Sequence, residues 1–561
     1  MKNDTEERRL HIMAKKNNVT SFINDHFFEQ EFRARWSKDG FNRLRTYLGQ
    51  VAKGNPSIYT APFAKGDSMG QILTDWKEIL VSISDKYPSL WEFENDLSNK
   101  VGPMSVQKPL MERMEDIAHY YWDILLPREP IDPRALDAVS QEFRKMRGLR
   151  VRGYRNTVDK MKKSTNSGNP FFTKRRNVIQ ESIPLDVCAY SGRHPDVYMQ
   201  LPDGKWQCSA VVGWRGQEGG PSPEDTKQRV VWMFPFSVNI AELSVYQPLI
   251  ESAQKLNLVP AWVSMESVDR NITKLFDTKG KDDLVVCTDF SKFDQHFNDV
   301  MQQGARTILA SILNNDAKST SWLKDVFPCK YLIPLAWEAV DTRVTYFGGE
   351  HGMASGSGGT NVDETLTHRA LQYEAAILNN SQLNPYSMCL GDDGILTYPG
   401  ITVDQVVKAY SAHGQECNVD KQYASTQDCV YLRRWHSTDY RRDSVCVGVY
   451  STCRALGRLR YLERFQDPEY WSPEMVELRQ LSIIENCKYH PLFQEFIEFC
   501  MKRDKYRLGI DIPGFLANIK DIAMEATTHM DDFLGYTKTL QGEGASGIAD
   551  WEVVKYLKSK A

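Results

Sequence analysis

The 561-residue chain lacks several features that would fix its class at once. No run approaches the roughly 20 apolar residues that a membrane-spanning helix needs. The N-terminal stretch MKNDTEERRLHIMAKKNN is charged throughout and has no apolar core of signal-peptide length. The eleven cysteines, scattered from Cys188 to Cys500, form no C-x-x-C pair and no His/Cys cluster at zinc-ligand spacing. They read as reduced thiols of a cytosol-like compartment. The expectation is a soluble protein kept inside a cell, or enclosed in something made there, with no membrane partner. No internal repeat is found, which excludes a solenoid, and no G-x-x-x-x-G-K-[ST] is present, which disfavours a P-loop helicase. GEGASG at Gly542 to Gly547 matches G-x-G-x-x-G, but only fourteen residues follow it, too few for a dinucleotide-binding βαβ unit. It reads as a loop before a short terminal helix. A net charge of -4 gives no global attraction for a polyanion.

Apolar residues at 41% and charged residues at 25% describe an ordinary globular chain, too long for one simple core and expected to hold two or three subdomains. Residues 1–60 are polar and punctuated by aromatics, as in a helical arm. From 66 to 146 the apolar spacing is mostly helical, as at Ile72, Trp76, Ile79 and Leu80. Charge is concentrated locally: between Arg144 and Arg176 twelve Lys or Arg residues stand against one acid, Asp159. Tyr154 and KKSTNSGNPFFTKRR interleave aromatics and turn residues with these cations, and Gly168, Asn169 and Pro170 mark an ordered turn. Cations that seek phosphates, beside rings on which bases stack, suit a single-stranded nucleic acid.

Carboxylates supply a chemistry. KDDLVVCTDFSKFDQHFND reads as a buried strand, Leu284 to Thr288, ending in Asp289 and followed by Asp294, with a helix from about Asn298 through Asn315. YSMCLGDDGILTY reads as a β-hairpin whose tip carries Gly391, Asp392 and Asp393. If the two elements lie side by side, Asp289 and Asp392 can share two divalent cations, and hard Mg2+ or Mn2+ prefers such oxygen ligands. Between them, Ser355 to Thr360 forms a glycine-rich loop able to approach a phosphate or sugar closely. Val362, Leu366, Ala370, Tyr373 and Ile377 then recur as the apolar face of a helix that starts near Thr360 or Asn361. His351, His368 and His413 are isolated and read as structural.

The order Asp289 and Asp294, then Ser355, Gly356 and Thr360, then Gly391, Asp392 and Asp393 resembles motifs A, B and C of viral RNA-dependent RNA polymerases. The wording DFSKFDQHF and SGSGGTN is most similar to enzymes of small segmented double-stranded RNA viruses, picobirnaviruses first and partitiviruses second. The resemblance extends to STNSGNPF, like the template-guiding motif G (Ser167, Gly168, Asn169, Pro170), and to TKQRVVWMFPF, like motif F, whose Lys227 and Arg229 would face the triphosphate. Lys174, Arg175 and Arg176 can share that role or hold template. GQECNVDKQ resembles motif D and offers Lys421 as a proton donor to the leaving pyrophosphate; CVYLRRWHS resembles motif E. The chain departs from many relatives at Glu364, where Asn is common. Ribose contact then falls either to Asn361 or to an acid.

By this resemblance Asp289, Asp392 and Asp393 hold two metal ions, Asp294 with Ser355, Thr360 or Asn361 reads the ribose, and NTPs are joined without a separate primer. The implied fold is α+β, a right-hand polymerase with an antiparallel palm sheet flanked by helices and a largely helical thumb. Its implied divisions are an N-terminal helical arm (1–60), fingers (61–264), palm (265–437, with a fingers insertion about 315–350), and thumb with C-terminal tail (438–561). Implied partners are single-stranded and double-stranded RNA, NTPs and viral capsid protein, for a monomer working in the virion interior and the host cytoplasm. Six arginines, Arg441, Arg442, Arg454, Arg458, Arg460 and Arg464, are candidates to line a product duplex. A reverse transcriptase would carry a bulky aromatic in place of Asp294, and an RNA-packaging protein would not need acids at 289 and 392.

Overall fold

The computed structural model describes residues 18–339, 343–529 and 546–561; most of the Gly542 to Gly547 stretch lies outside them. Contacts divide the chain into two units, one built from the segment ending at Gly54 with Lys108–Trp214 and Val230–Cys429, the other from Asn55–Gln107, Arg215–Arg229 and Val430–Ala561.

At the centre of the first unit is a four-stranded antiparallel sheet. Its strands are β1 (Val285–Thr288), β2 (Met388–Leu390), β3 (Asp393–Leu396) and β4 (Tyr423–Ser425), in the order β2-β3-β1-β4. Every residue of β1 is buried, which is why it reads as an unbroken apolar run without alternation. Three helices support this sheet and its surroundings: α1 (Phe236–Lys255), α2 (Asp299–Ile312) and α3 (Thr360–Leu378). Asn298 begins α2, its side chain accepting from the backbone N–H groups of Val300 and Met301 at 3.0 and 3.2 Å. The helix stops at Ile312 rather than Asn315 because Leu313 turns to an extended conformation and Asn314 donates its N–H to Leu149. Along α3 the anticipated face is inward: Val362, Leu366 and Ala370 are buried, Tyr373 and Ile377 partly so. A separate five-stranded sheet includes Leu335–Glu338 and Val344–Phe347, paired antiparallel.

The second unit is mainly helical, with helices at Thr452–Arg460, Pro473–Glu485, Phe493–Arg503, Ile519–His529 and Glu552–Lys560. Residues 55–107, drawn from the sequence as belonging mostly to the fingers, share its core. Ile72, Trp76 and Leu80 of the helix Met69–Leu80 are fully buried, whereas Ile79 turns outward. Trp76 packs against Phe496 and Phe499 at ring separations of 5.1 and 5.2 Å and donates its indole N–H to Thr452 at 2.7 Å. Burying each such side chain is worth on the order of 2 kcal/mol, and this is what draws an early segment to the end of the chain. Glu94 caps Thr452–Arg460, its carboxylate accepting from the N–H groups of Thr452 and Cys453 at 2.7 and 3.1 Å, where the helix dipole favours an anion.

None of the eleven cysteines is in a disulfide, and only Cys188 is exposed. Among the described residues no helix is long and apolar enough to cross a membrane.

Candidate active site

The paired strands bring the predicted acids to one edge. β3 runs antiparallel to β1 with Gly394 opposite Thr288, so the same register continued by one residue sets Asp393 opposite Asp289. The turn Gly391–Asp392 joins β2 to β3, with Leu390 paired to Asp393. Gly391 adopts φ +59°, a left-handed conformation that glycine reaches without strain. Asp289 and Asp392 are exposed, and Asp294 and Asp393 half-buried.

What fixes these acids is a set of polar side chains that the sequence did not mark. Thr365 on α3 accepts from the Gly391 N–H at 2.9 Å, and His368, one turn on, bonds through Nδ1 to the Gly391 carbonyl at 2.8 Å. Gln372 donates to the carbonyls of Met388 and Ile395 at 2.8 and 3.2 Å, gripping β2 and β3. A buried face of α3 thus holds the Gly391–Asp392 hairpin by its backbone. Its signal in the sequence is the spacing Thr365, His368, Gln372, three and four residues apart. On the other side of β1, Gln422 brackets Asp289: it accepts the Asp289 N–H at 2.8 Å and donates to its carbonyl at 2.9 Å. Exposed Lys421, the predicted proton donor, immediately precedes Gln422 on the turn Val419–Lys421.

Glu364, not Asn361, stands with the acids. Burial, and then the charges of Asp294, Asp392 and Asp363, hold its carboxyl well above the usual carboxylate range. A Cβ added at Gly391 would lie 3.4 Å from Glu364 Oε2. Asn361 is exposed and accepts a hydrogen bond from the Trp262 indole at 2.7 Å. Among the described residues no three acidic, His or Cys side chains converge tightly enough to chelate an ion by themselves. The donor set is nevertheless all carboxylate oxygen, presented from two adjoining strands, and a triphosphate and water would complete the coordination of a hard cation there.

The glycine-rich loop is also packed closely against its own chain. A Cβ on Gly356 would lie 1.6 Å from the Trp232 carbonyl oxygen, and one on Gly359 2.4 Å from the Tyr246 ring. These glycines let the loop press against its own chain. Ser355 Oγ donates to the Val230 carbonyl at 3.4 Å, and the Thr360 hydroxyl folds back onto the Ser357 carbonyl at 3.3 Å.

The segment resembling motif G is likewise internal. Ser167, Gly168, Asn169 and Pro170 are buried. Asn169 donates to the carbonyls of Arg35 and Gln207 at 3.1 and 2.9 Å and accepts from Ser209 at 3.2 Å. Arg175 lies over the Phe236 ring, and burial pushes its guanidinium down to about 10. The side chains of this stretch open to solvent include Lys174 and Arg176. Lys227 and Arg229 occupy the exposed face of the strand Lys227–Met233, alternating with buried Gln228 and Val230. In the second unit Arg433, Arg454 and Arg458 surround buried Glu218. Although burial opposes its charge, they hold its carboxyl below the ordinary range. Arg460 donates to the carbonyls of Phe63 and Asp67, so several of the candidate duplex arginines serve the unit's own structure.

The histidines are structural. His413 is clasped by Glu374 and the Glu129 carbonyl, both at 2.6 Å. His351 lies between the carbonyls of Gly352 and Ile333. His368 is walled by Phe290, Phe293 and Tyr410, and burial pushes it down to about 4 from an ordinary 6.5. The unfolded chain therefore takes up this proton first as pH falls. The stability that neutral His368 contributes is complete above 6.5 and declines as pH drops toward 4. We expect a loss on the order of 3 kcal/mol from this residue. Urea unfolding of the wild type and His368→Gln from neutral to acid pH checks it: the variant's curve should be flatter over that window.

Comparison with known proteins agrees with this arrangement. The family model described as viral RNA-dependent RNA polymerase matches residues 137–446. A "Potential RNA-dependent RNA polymerase" of Human picobirnavirus (strain Human/Thailand/Hy005102/-) is 57% identical over 523 residues, covering 92% of this chain and 96% of that protein. The crystal structure of the RNA-dependent RNA polymerase of a human picobirnavirus superposes with a TM-score of 0.88 at 55% identity, covering 94% of this chain and 99% of the other. That of its insertion loop deletion mutant gives 0.86 at 53%, with the same coverage. The chain has the right-hand polymerase fold, belongs to the viral RNA-dependent RNA polymerases with picobirnavirus enzymes as its relatives, and is an RNA-directed RNA polymerase.

Proposed function

We propose that this polymerase replicates and transcribes a viral RNA genome by metal-assisted nucleotidyl transfer from NTPs, and that it starts chains without a primer. The observation that carries the reading is the register of β1 against β3, which sets Asp289 opposite Asp393 beside Asp392 at the tip of the turn. Two Mg2+ or Mn2+ ions held by Asp289 and Asp392, with Asp393 at greater distance, would lower the charge on both the attacking and the leaving oxygens.

The chain's own residues do the rest. Gln422 and the Thr365–His368 pair immobilise the backbones that carry the acids, so little reorganisation accompanies reaction. Asp294, beside Glu364, accepts a hydrogen bond from a ribose hydroxyl. Burial and the neighbouring acids push the Glu364 carboxyl up, and it stands as a second polar group beside the Asp294 that would face the hydroxyl. A site that bonds this hydroxyl strongly rejects a nucleotide lacking it, because its buried polar groups would then be unpaired. The exposed cations Lys227 and Arg229 neutralise the triphosphate, and Lys421 protonates the departing pyrophosphate. Lys174 and Arg176 attract the template backbone, while the buried Ser167 to Pro170 turn shapes its path.

We extend this reading to the lobes of the hand as divided from the sequence, save that residues 61–107 pack with the C-terminal unit, to a monomer that binds single-stranded and double-stranded RNA, and to work beside capsid protein in the virion interior and in the host cytoplasm. The test is incorporation on single-stranded RNA without primer, using NTPs or dNTPs, with divalent metal chelated and then restored. Template-length product from NTPs alone, lost on chelation and regained with Mg2+ or Mn2+, is expected. Product only with a primer would remove primer independence, and equal use of dNTPs would remove the ribose reading.

A further inference from the structure

The first two turns of α1 gather two segments that are far apart in sequence. At its start the Phe236 N–H donates to the Ser167 carbonyl at 2.7 Å. One turn later Asn239 Oδ1 accepts from Arg175 at 2.9 Å, while its Nδ2 donates to the Gly356 carbonyl at 3.2 Å. Three residues on, on the same helix face, Glu242 accepts from the Gly358 N–H at 3.2 Å and from the Ser357 hydroxyl. Asn239 Nδ2 also reaches Glu242 Oε1 at 3.2 Å, which closes the chain of bonds. Neither residue is open to solvent: Asn239 is 5% exposed and Glu242 fully buried.

A buried carboxylate is costly unless its oxygens are satisfied. Here both are satisfied by the glycine-rich loop and by Asn239. Ser357 Oγ in turn accepts the Gly359 N–H at 3.0 Å, so the carboxylate orders successive loop residues up to the start of α3. The loop has few side chains with which to fix itself, and Gly356 and Gly359 sit against Trp232 and Tyr246 with no room for a Cβ. Its position is set from α1.

We infer that Asn239 and Glu242 are positioning residues that set the Ser355–Gly359 loop and couple it to Arg175 in the basic, template-side segment. This rests on the reading above in which Asp294 and the loop discriminate ribose. Without the Glu242 carboxylate the loop would keep its place in the chain but lose two of its anchors, and the hydroxyls of Ser355 and Thr360 would be held less closely. Fidelity to ribonucleotides, rather than catalytic power alone, should fall.

The experiment is single-nucleotide incorporation on a primed RNA template, comparing kcat/KM for an NTP and its dNTP in wild type, Glu242→Ala, Glu242→Gln and Ser357→Ala. The ratio does not depend on the fraction of enzyme that is folded, so a merely destabilised variant would leave it unchanged. Leaving buried polar groups of the loop without their partner predicts about a tenfold fall in the ratio for Glu242→Ala and for Ser357→Ala. Glu242→Gln, which keeps one acceptor oxygen, should fall between them and wild type. If Glu242→Ala fails to fold, Ser357→Ala removes the same bond from the loop side and carries the test. Ratios within twofold of wild type in the folded variants would overturn the inference. Arg175→Ala added to Glu242→Ala should lower the ratio no further, and fully additive losses would overturn the coupling. Asp294→Asn is the control: if it too leaves the ratio unchanged, the ribose reading fails and the inference with it. If it lowers the ratio while Glu242 and Ser357 variants do not, the inference alone fails.

Discussion

Asp392→Ala will stop RNA synthesis, with nucleotide incorporation falling at least about a thousandfold, or on the order of 4 kcal/mol of transition-state stabilisation. The turn that carries Asp392 is held by its backbone, through Thr365 and His368 on either side of the Gly391 peptide unit. Removing an exposed carboxylate from such a turn leaves the hairpin in place. The charge of Asp392 is one of those that push the Glu364 carboxyl up, so its loss removes an unfavourable interaction within the cluster of acids. Thermal unfolding of the variant should therefore match or slightly exceed the wild type while activity is lost. A variant that is both inactive and markedly destabilised would mean that Asp392 serves the fold.

The largest effect on stability is expected at a buried ion pair on α3. Lys330 and Asp363 are both fully buried, with Nζ 2.9 Å from Oδ2. Tyr246 and Tyr331 add their hydroxyls to the same carboxylate at 2.8 and 2.7 Å, and the Lys330 ammonium lies 3.8 Å from the centre of the Phe327 ring. Lys330→Met would strand a buried carboxylate whose remaining partners are neutral, and breaking such a pair from one side costs about 3–5 kcal/mol. Converting both partners, as Lys330→Met with Asp363→Leu, should recover much of that loss, because neither charge is then left alone. Equilibrium denaturant unfolding of the single and double variants checks both statements. A single variant within about 1 kcal/mol of wild type would show the pair to be reached by water.

Much of the acidic edge was legible in the sequence because buried strands announce themselves. The run Leu284 to Thr288 has no polar interruption until Thr288, and Asp289 follows it; Gly391, Asp392 and Asp393 sit between two short apolar stretches, as a hairpin tip must. The apolar face of α3 was equally plain. What escaped was polar and internal. Thr365 and Gln372 drew no reading of their own and His368 read only as structural, yet α3 is covered on most of its circumference and uses all three to hold strand backbones. Asn169 and Ser167, in a strongly basic stretch, suggested a surface in contact with RNA; their side chains instead tie the turn to the chain. The partner of Met69–Leu80 could not be read locally, since the Trp76 to Thr452 bond spans 376 positions. Local periodicity says that an apolar face exists, and only packing says what covers it.

The most direct measurement of the central claim is anomalous scattering from Mn2+ in crystals of the enzyme holding template RNA, product strand and an unreactive NTP analogue. The account predicts two manganese ions bound by Asp289 and Asp392, with the triphosphate on the ions. An ordered nucleotide at this edge with no metal on those two residues, or manganese bound elsewhere on the chain, would contradict it.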